Sequence, residues 1–256
     1  MLFLDRESKE GIEICNELFY NGEQIKAVIF DMDGVILDTE KLYCRFWREA
    51  AEFFGYRMTE EMALGMRSLN PIKGRELLEE YYGMFVDYQT IRNKRMQLME
   101  KYISEHGVEV KPGIYDLLEF LKANHIKCAV ATSSPWERAR YHLERARVLR
   151  SMEGVASAYR VKKGKPEPDV YLYAIERLGV RPEECLVLED SPTGLTAACR
   201  AGCVPVMVPD LDRPSEGVKS NIYAVAESLS YVKDMFYFVD DEETEGVINI
   251  EIKEWS

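Results

Sequence analysis

An α/β fold, a doubly wound and mainly parallel sheet interrupted by an inserted helical subdomain, is the expectation from three features of the sequence. Short β-rich apolar runs alternate with amphipathic stretches, the rhythm of repeated βαβ units. The runs are apolar almost throughout rather than at every second position, which marks strands covered on both faces. The first of them ends at residue 30 and the next begins at 127, an interval far longer than one crossover helix and itself helical in pattern.

Taken in order, residues 1–25 precede the first strand, with Asn21-Gly22 suited to a tight hairpin turn. KAVIF (26–30) is the first buried strand. Helical patterns follow at 40–55, 59–66, 72–82 and 87–105; in the first, Leu42, Phe46, Ala50 and Phe53 share a face, with Tyr43, Trp47 and Phe54 beside it. Gly55, Gly65, Gly74, Gly83 and Gly107 punctuate this segment, and Lys111-Pro112-Gly113 marks the return to the sheet. KCAVAT (127–132), CLVLED (185–190) and VPVMV (204–208) read as further strands, and 113–124, 135–148, 168–178 and 192–201 as helices. The expected division is a core of 26–40 plus 109–235, a helical cap of 41–108, and extensions at 1–25 and 236–256. In the last, DDEETE (240–245) reads as a solvated acidic loop and 247–252 alternates like a half-exposed strand.

Composition narrows the class. With 46% hydrophobic and 30% charged residues, the 256-residue chain has ordinary globular usage and length enough to bury a large core. No apolar run approaches the ~18 residues of a membrane span. The start, MLFLDRESKE, is charged by residue 5 and lacks a secretory pattern, so a cytoplasmic protein, monomeric by default, is expected. A net charge of −12 argues against nucleic acid as a partner, since the short cluster Lys162, Lys163, Lys165 cannot track a duplex. The six cysteines form no C-x-x-C pair, and Cys128 and Cys185 lie within apolar runs. His106, His125 and His142 stand far apart, so a zinc site is not expected.

The chemistry gathers at strand ends. The first strand runs into DMDGVILDTE (31–40), where Asp31 and Asp33 are two apart and project alike on extended backbone. The next ends in Thr132-Ser133-Ser134-Pro135, with Ser134 a plain candidate for a helix N-cap and Pro135 for the first helical position. CLVLED ends in Glu189-Asp190-Ser191-Pro192, where Ser191 can cap likewise, and Lys165 lies in the loop GKPEPD (164–169). Any one of these is ordinary turn or cap chemistry. Together they deliver polar groups to the carboxyl ends of three strands, where open α/β sheets bind ligands. Four carboxylates in one crevice would repel, so at least one must protonate unless a hard dication such as Mg²⁺ sits among them. A phosphate held between that metal, Lys165 and Thr132 makes a phosphoryl-transfer site.

The ordered set DMDGV, ATSS, KGKPEPD and LEDSPTG resembles the four motifs of the haloacid dehalogenase (HAD) superfamily, with its Rossmann-like core. The branch it is most similar to is the phosphatase and β-phosphoglucomutase-like group, with a helical cap inserted after the first motif. The resemblance covers roughly residues 26–235. It implies Asp31 as a nucleophile that forms an aspartyl-phosphate and also binds Mg²⁺, and Asp33 as general acid/base whose backbone carbonyl reaches the metal. It further implies Thr132 and Lys165 as holders of the phosphoryl oxygens, Asp190 as a direct metal ligand, and Glu189 as a direct or water-mediated one. Independently of the family, a carboxylate nucleophile splits hydrolysis into two displacements, and an acid/base serves best with its pKa near the working pH.

The expected function is therefore Mg²⁺-dependent hydrolysis of a small phosphorylated metabolite, a sugar phosphate among the candidates. A β-phosphoglucomutase-type mutase is the runner-up, and a phosphometabolite-binding protein without turnover ranks below it. Mutases of that type carry a histidine ten residues past the acid/base, where this chain has Tyr43. Arg67 and Arg75 are the cap residues best suited to a substrate anion, and Ser133 is a third candidate contact. Tyr81, Tyr82, Tyr88, Tyr171 and Tyr173 read as packing. Arg138, Arg140, Arg145 and Arg147, mixed with Glu137 and Glu144, read as a solvated, salt-laced helix face.

Overall fold

A computed structural model describes residues 18–20, 23–67, 69, 71–211, 222–234 and 236. Its centre is a six-stranded parallel sheet in the order β5-β4-β3-β6-β7-β8, where β3 is Ala27–Phe30, β4 Lys127–Thr132, β5 Gly154–Ser157, β6 Cys185–Glu189, β7 Val204–Met207 and β8 Ala224–Val225. The first of these in sequence, β3, lies inside the sheet between β4 and β6, with Phe30 opposite both Val130 and Leu188. The chain thus builds outward from β3 in both directions, which opens a crevice at its carboxyl end.

Alternation along β3 divides the core. Val28 and Phe30 join one apolar cluster with α5 (Ile114–Ala123) and α6 (Trp136–Arg145). Ala27 and Ile29 join another with α7 (Asp169–Leu178) and α8 (Pro192–Arg200). Both faces are covered, which is why these strands read as continuous apolar runs. Among the described residues four helices stand between β3 and α5: α1 (Glu40–Phe53), α2 (Glu60–Gly65), α3 (Pro71–Tyr82) and α4 (Tyr88–His106). They enclose cores of their own, one including Trp47, Ala50, Leu78 and Ile91, another Leu42, Phe46, Met99 and Ile103.

Two strands escaped the sequence reading. β5 has four residues, begins with Gly154 and is exposed at that end, and β8 has two; neither makes a visible apolar run. Before the sheet, β1 (Leu18–Tyr20) and β2 (Glu23–Ile25) pair antiparallel with Tyr20 opposite Glu23. The Asn21-Gly22 turn between them lies outside the described residues, as do 240–245 and 247–252. Among the described residues no helix is long and apolar enough to cross a membrane.

Candidate active site

The site grows from the end of β3. Asp31 donates its backbone N–H to the Leu188 carbonyl (2.9 Å), and the chain then turns, with the Ile36 and Leu37 amides both donating to the Met32 carbonyl. Gly34 makes the turn possible at φ +85°, and a Cβ there would stand 2.3 Å from Asp190 Oδ2. The bare backbone lets the β3 loop press against the carboxylate that follows β6. Gly194 does the same beyond β6: a Cβ there would fall 1.7 Å from Glu189 Oε1. Ser191 caps α8 as expected, its Oγ accepting from the Gly194 amide at 3.1 Å.

One ammonium holds these acids together. Lys165 donates from Nζ to Asp31 Oδ1, to Glu189 Oε1 at 2.5 Å and to the Ala131 carbonyl at 3.0 Å, with its side chain only 5% exposed. Glu189 is fully engaged: Oε1 also accepts from the Tyr171 hydroxyl (2.7 Å), and Oε2 from the Ser191 amide (3.2 Å) and hydroxyl (3.0 Å). Tyr171 is thus a site residue as well as a packing one. Its ring also lies 5.0 Å from Lys165 Nζ. Helical spacing identified its buried face but could not reveal what its hydroxyl meets.

Side-chain oxygens of Asp31, Glu189 and Asp190 can all lie within 4.8 Å of one another, and all three residues are buried. Burial pushes the Asp31 carboxyl up to about 8 in spite of Lys165, with Glu189 and Asp33 adding to the rise. Burial raises Asp190 well above the usual carboxylate range too, reinforced by the charges of Glu189 and Asp31. Asp190 accepts no hydrogen bond from any described residue. One lysine is too little charge for three acids, and an all-oxygen donor set suits a hard divalent cation. These residues fit such an ion. The Asp33 carboxylate stands outside this set, so the ligand expected from that residue is its backbone carbonyl.

Asp33 instead faces hydroxyls. Its Oδ1 accepts from Thr39 Oγ1 at 2.7 Å and its Oδ2 from Ser134 Oγ at 3.3 Å. This corrects the reading of Ser134 as an N-cap. Helix α6 begins at Trp136, Pro135 occupies the cap position, and no side chain caps it. A residue before proline is held extended, and from there the Ser134 hydroxyl meets Asp33 rather than its own helix. Thr132 is buried at the end of β4, where its Oγ1 accepts from the Ser134 amide (3.0 Å). Ser133 beside it is exposed.

The two cap arginines part company. Arg67 is half-buried, donates from Nε to the Leu64 carbonyl (3.1 Å), and its charge acts on Glu40, the buried first residue of α1 that also feels Asp33 and Asp31. Arg75 is exposed on α3, and its charge acts on Asp87 and Tyr88, away from the acids of the crevice. Helix α6 needs a further correction. Arg140 pairs with Glu144 at the surface (3.1 Å), but Arg138 turns inward, its Nε fully buried and its guanidinium 5.6 Å from the Tyr43 ring. The i, i+4 spacing of Ser134, Arg138 and His142 was the available signal, and the mixed charges around it hid the stripe.

Known proteins are similar to this chain in sequence and fold. Residues 25–202 match the family model for haloacid dehalogenase-like hydrolases. A phosphorylated carbohydrates phosphatase of Thermotoga maritima is 36% identical over 178 residues, 70% of this chain and 82% of that protein. The β-phosphoglucomutase of Bacillus subtilis is 30% identical over 190 residues, 72% of this chain and 83% of its own. A crystal structure of a mutant CbbY from Rhodobacter sphaeroides, in complex with xylulose-(1,5)bisphosphate, superposes with a TM-score of 0.65 at 25% identity, covering 80% of this chain and 95% of that one. With these similarities and the site at the ends of β3, β4 and β6, the chain belongs to the haloacid dehalogenase-like hydrolases, among their phosphatases and β-phosphoglucomutase-like proteins.

Proposed function

We propose that this phosphoric monoester hydrolase removes phosphate from a small phosphorylated metabolite, a sugar or polyol phosphate among the candidates, through an aspartyl-phosphate on Asp31. The observation that carries the reading is the convergence of Lys165 on Asp31 and Glu189, with Asp190 alongside and Asp33 held separately by Thr39 and Ser134. Asp31 is the nucleophile. Lys165 and Thr132 neutralise and position the phosphoryl oxygens, and electrostatic positioning does most of the work in such transfers. Asp33 protonates the leaving alkoxide and then takes a proton from the attacking water; its two hydroxyl partners keep its carboxyl aimed while it changes state. Asp31, Asp190, the Asp33 carbonyl and, directly or through water, Glu189 would hold Mg²⁺, which when bound supplies positive charge for the transferring group. The helices of 41–108 form a cap that closes over the crevice and excludes bulk water. A monomer in the cytoplasm completes the proposal.

Phosphatase is preferred over mutase because the position of the mutase histidine holds Tyr43, whose ring lies against Arg95 (4.7 Å) and Arg138 (5.6 Å). Phosphorus NMR with Mg²⁺ and a panel of sugar phosphates tests the choice. The expected result is a rise in inorganic phosphate that Asp31→Asn abolishes, by at least about a thousandfold, with the fold kept by circular dichroism. A new ester resonance with little free phosphate makes the protein a mutase. Undiminished release by Asp31→Asn removes the nucleophile assignment.

A further inference from the structure

Helix α7 begins where the Lys165 loop ends, and its first turn holds that loop. Asp169 accepts the Lys163 amide on Oδ1 at 3.1 Å, while Arg200 of α8 donates to the Pro166 carbonyl (3.1 Å) and to Glu167 Oε1 (3.2 Å). Tyr171 follows two residues later and is wholly buried. Its ring lies 5.0 Å from Lys165 Nζ, and its hydroxyl donates to Glu189 Oε1 at 2.7 Å. Packing accounts for the ring but not for the hydroxyl, since Ile175 and Leu178, from the same helix and the same apolar cluster, carry no polar group. A buried phenol needs a partner, and the one it has is an oxygen that Lys165 also uses.

An ammonium has three N–H groups. Those of Lys165 go to Asp31 Oδ1, to Glu189 Oε1 (2.5 Å) and to the Ala131 carbonyl (3.0 Å). Ala131 belongs to β4 and Glu189 to β6, so two of these acceptors are set by the sheet. The third changes during the proposed reaction. The Asp31–phosphorus bond forms as the ester P–O bond breaks, and the leaving alkoxide takes its proton from Asp33. Charge then leaves the Asp31 carboxylate and gathers on the phosphoryl oxygens, so the N–H that Asp31 held passes to the transferring group. That transfer of a hydrogen bond requires the other two to stay in place. Glu189 governs one of them. Its Oε2 is pinned by the Ser191 amide (3.2 Å) and hydroxyl (3.0 Å), and the Tyr171 hydroxyl shares Oε1 with the ammonium. Without that hydroxyl, Lys165 is the sole donor to Oε1 among the described residues, and the carboxylate draws the ammonium toward itself and away from Asp31.

We propose that Tyr171 is a positioning residue of the phosphoryl transfer: acting through Glu189, and with its ring against the ammonium, it keeps one Lys165 N–H poised between Asp31 and the transferring group. Its effect falls on the transition state rather than on the bound ester, because charge has moved onto the phosphoryl oxygens only there. This inference rests on the hydrolase reading for the identity of the nucleophile, but half of its test is binding rather than turnover.

The test compares the full-length wild type, Tyr171→Phe and Ile175→Val with Mg²⁺, well below their melting temperatures. Ile175→Val removes one buried carbon from the same helix and serves as the stability control. With p-nitrophenyl phosphate, Tyr171→Phe should lose about 10- to 100-fold in kcat while KM stays within about threefold of wild type. Ile175→Val should match the wild type in both. Titration calorimetry with orthovanadate, which takes the five-coordinate geometry of the transferring group, should show Tyr171→Phe weaker by about 10- to 100-fold. Inorganic phosphate should bind it within about threefold of wild type. Replacing Tyr171 by p-aminophenylalanine restores a donor in the same place and should recover part of the loss. Unchanged vanadate affinity in Tyr171→Phe, or equal losses for vanadate and phosphate, would overturn the proposal. So would a kcat in Ile175→Val that falls as far, which would assign Tyr171 to the fold. Vanadate that binds the wild type no tighter than phosphate would also overturn it. Absence of phosphate release by the wild type would defeat the hydrolase reading and leave vanadate against phosphate to decide the role of Tyr171.

Discussion

Replacing Gly34 by alanine separates what the turn needs from what the site needs. At φ +85° any side chain strains the backbone by roughly 1–2 kcal/mol. The new methyl would also stand 2.3 Å from Asp190 Oδ2, where ordinary contact begins at 3.4 Å, so the carboxylate must retreat by about 1 Å. Metal ligands tolerate displacements of only about 0.2 Å. Gly83 is the control: its φ is +88°, yet an added Cβ would meet nothing within 4 Å. Urea unfolding in chelator should show Gly83→Ala losing about 1–2 kcal/mol and Gly34→Ala about 2–5, once collision is added to strain. Titrating phosphate release with Mg²⁺ should show Gly83→Ala at the wild-type midpoint. Gly34→Ala should need about 10- to 100-fold more metal and release phosphate about a hundredfold more slowly. A wild-type Mg²⁺ midpoint in Gly34→Ala, or equal destabilisation in the two variants, would refute the reasoning that this glycine exists to admit Asp190.

Other perturbations probe the same network. Lys165→Met should destabilise by about 3–5 kcal/mol in guanidinium unfolding, because it strips the buried Asp31 and Glu189 of their shared cation; a loss below about 1 kcal/mol would mean the acids are compensated elsewhere. Tyr171→Phe deletes one donor to Glu189 and should lower stability by about 1–3 kcal/mol by urea unfolding, with no loss expected if water replaces the hydroxyl. Glu40 has its carboxyl pushed from 4.5 up to about 8, chiefly by burial. The native state then holds a proton that the unfolded state releases, so this stabilising contribution is full below about 4.5 and is lost as pH rises through 8. The advantage of Glu40→Gln over the wild type in Tm should therefore grow between about pH 5 and pH 9. A pH-independent difference would show that Glu40 is solvated in the fold.

What could be read from the sequence follows from which interactions are local. Strands β3, β4, β6 and β7 announced themselves because burial on both faces leaves a continuous apolar run, and the helices because one face must meet the sheet or, for α1 to α4, one another. Asp31, Glu189 and Asp190 were legible because each sits at a strand end, where the fold class alone brings residues together, whereas Lys165, in the loop 164–169, was legible only from the order of the motifs around it. Strand β5 was not, since a short edge strand needs little burial. Ser134 misled because capping is the local use of a serine before a helix, whereas its partner is Asp33, 101 residues earlier in the chain. Arg138 and Tyr171 show the same limit: helical spacing says which residues share a face, but not what another element brings against it.

The interior position of β3 also has a consequence for assembly. Helices α1 to α4 make their two small cores from contiguous chain, so their contacts can form as soon as residue 106 is made. The strand that leads into Asp31 is older in the chain than any of these, yet its flanking partners begin at residues 127 and 185. During synthesis from the N-terminus, the cap segment can therefore be packed while β3 still lacks both neighbours. Acids and lysine meet only when β6 arrives, which makes the reactive constellation a late product of folding. A nascent or truncated chain ending before Asp190 can hold a formed cap and still carry no chemistry.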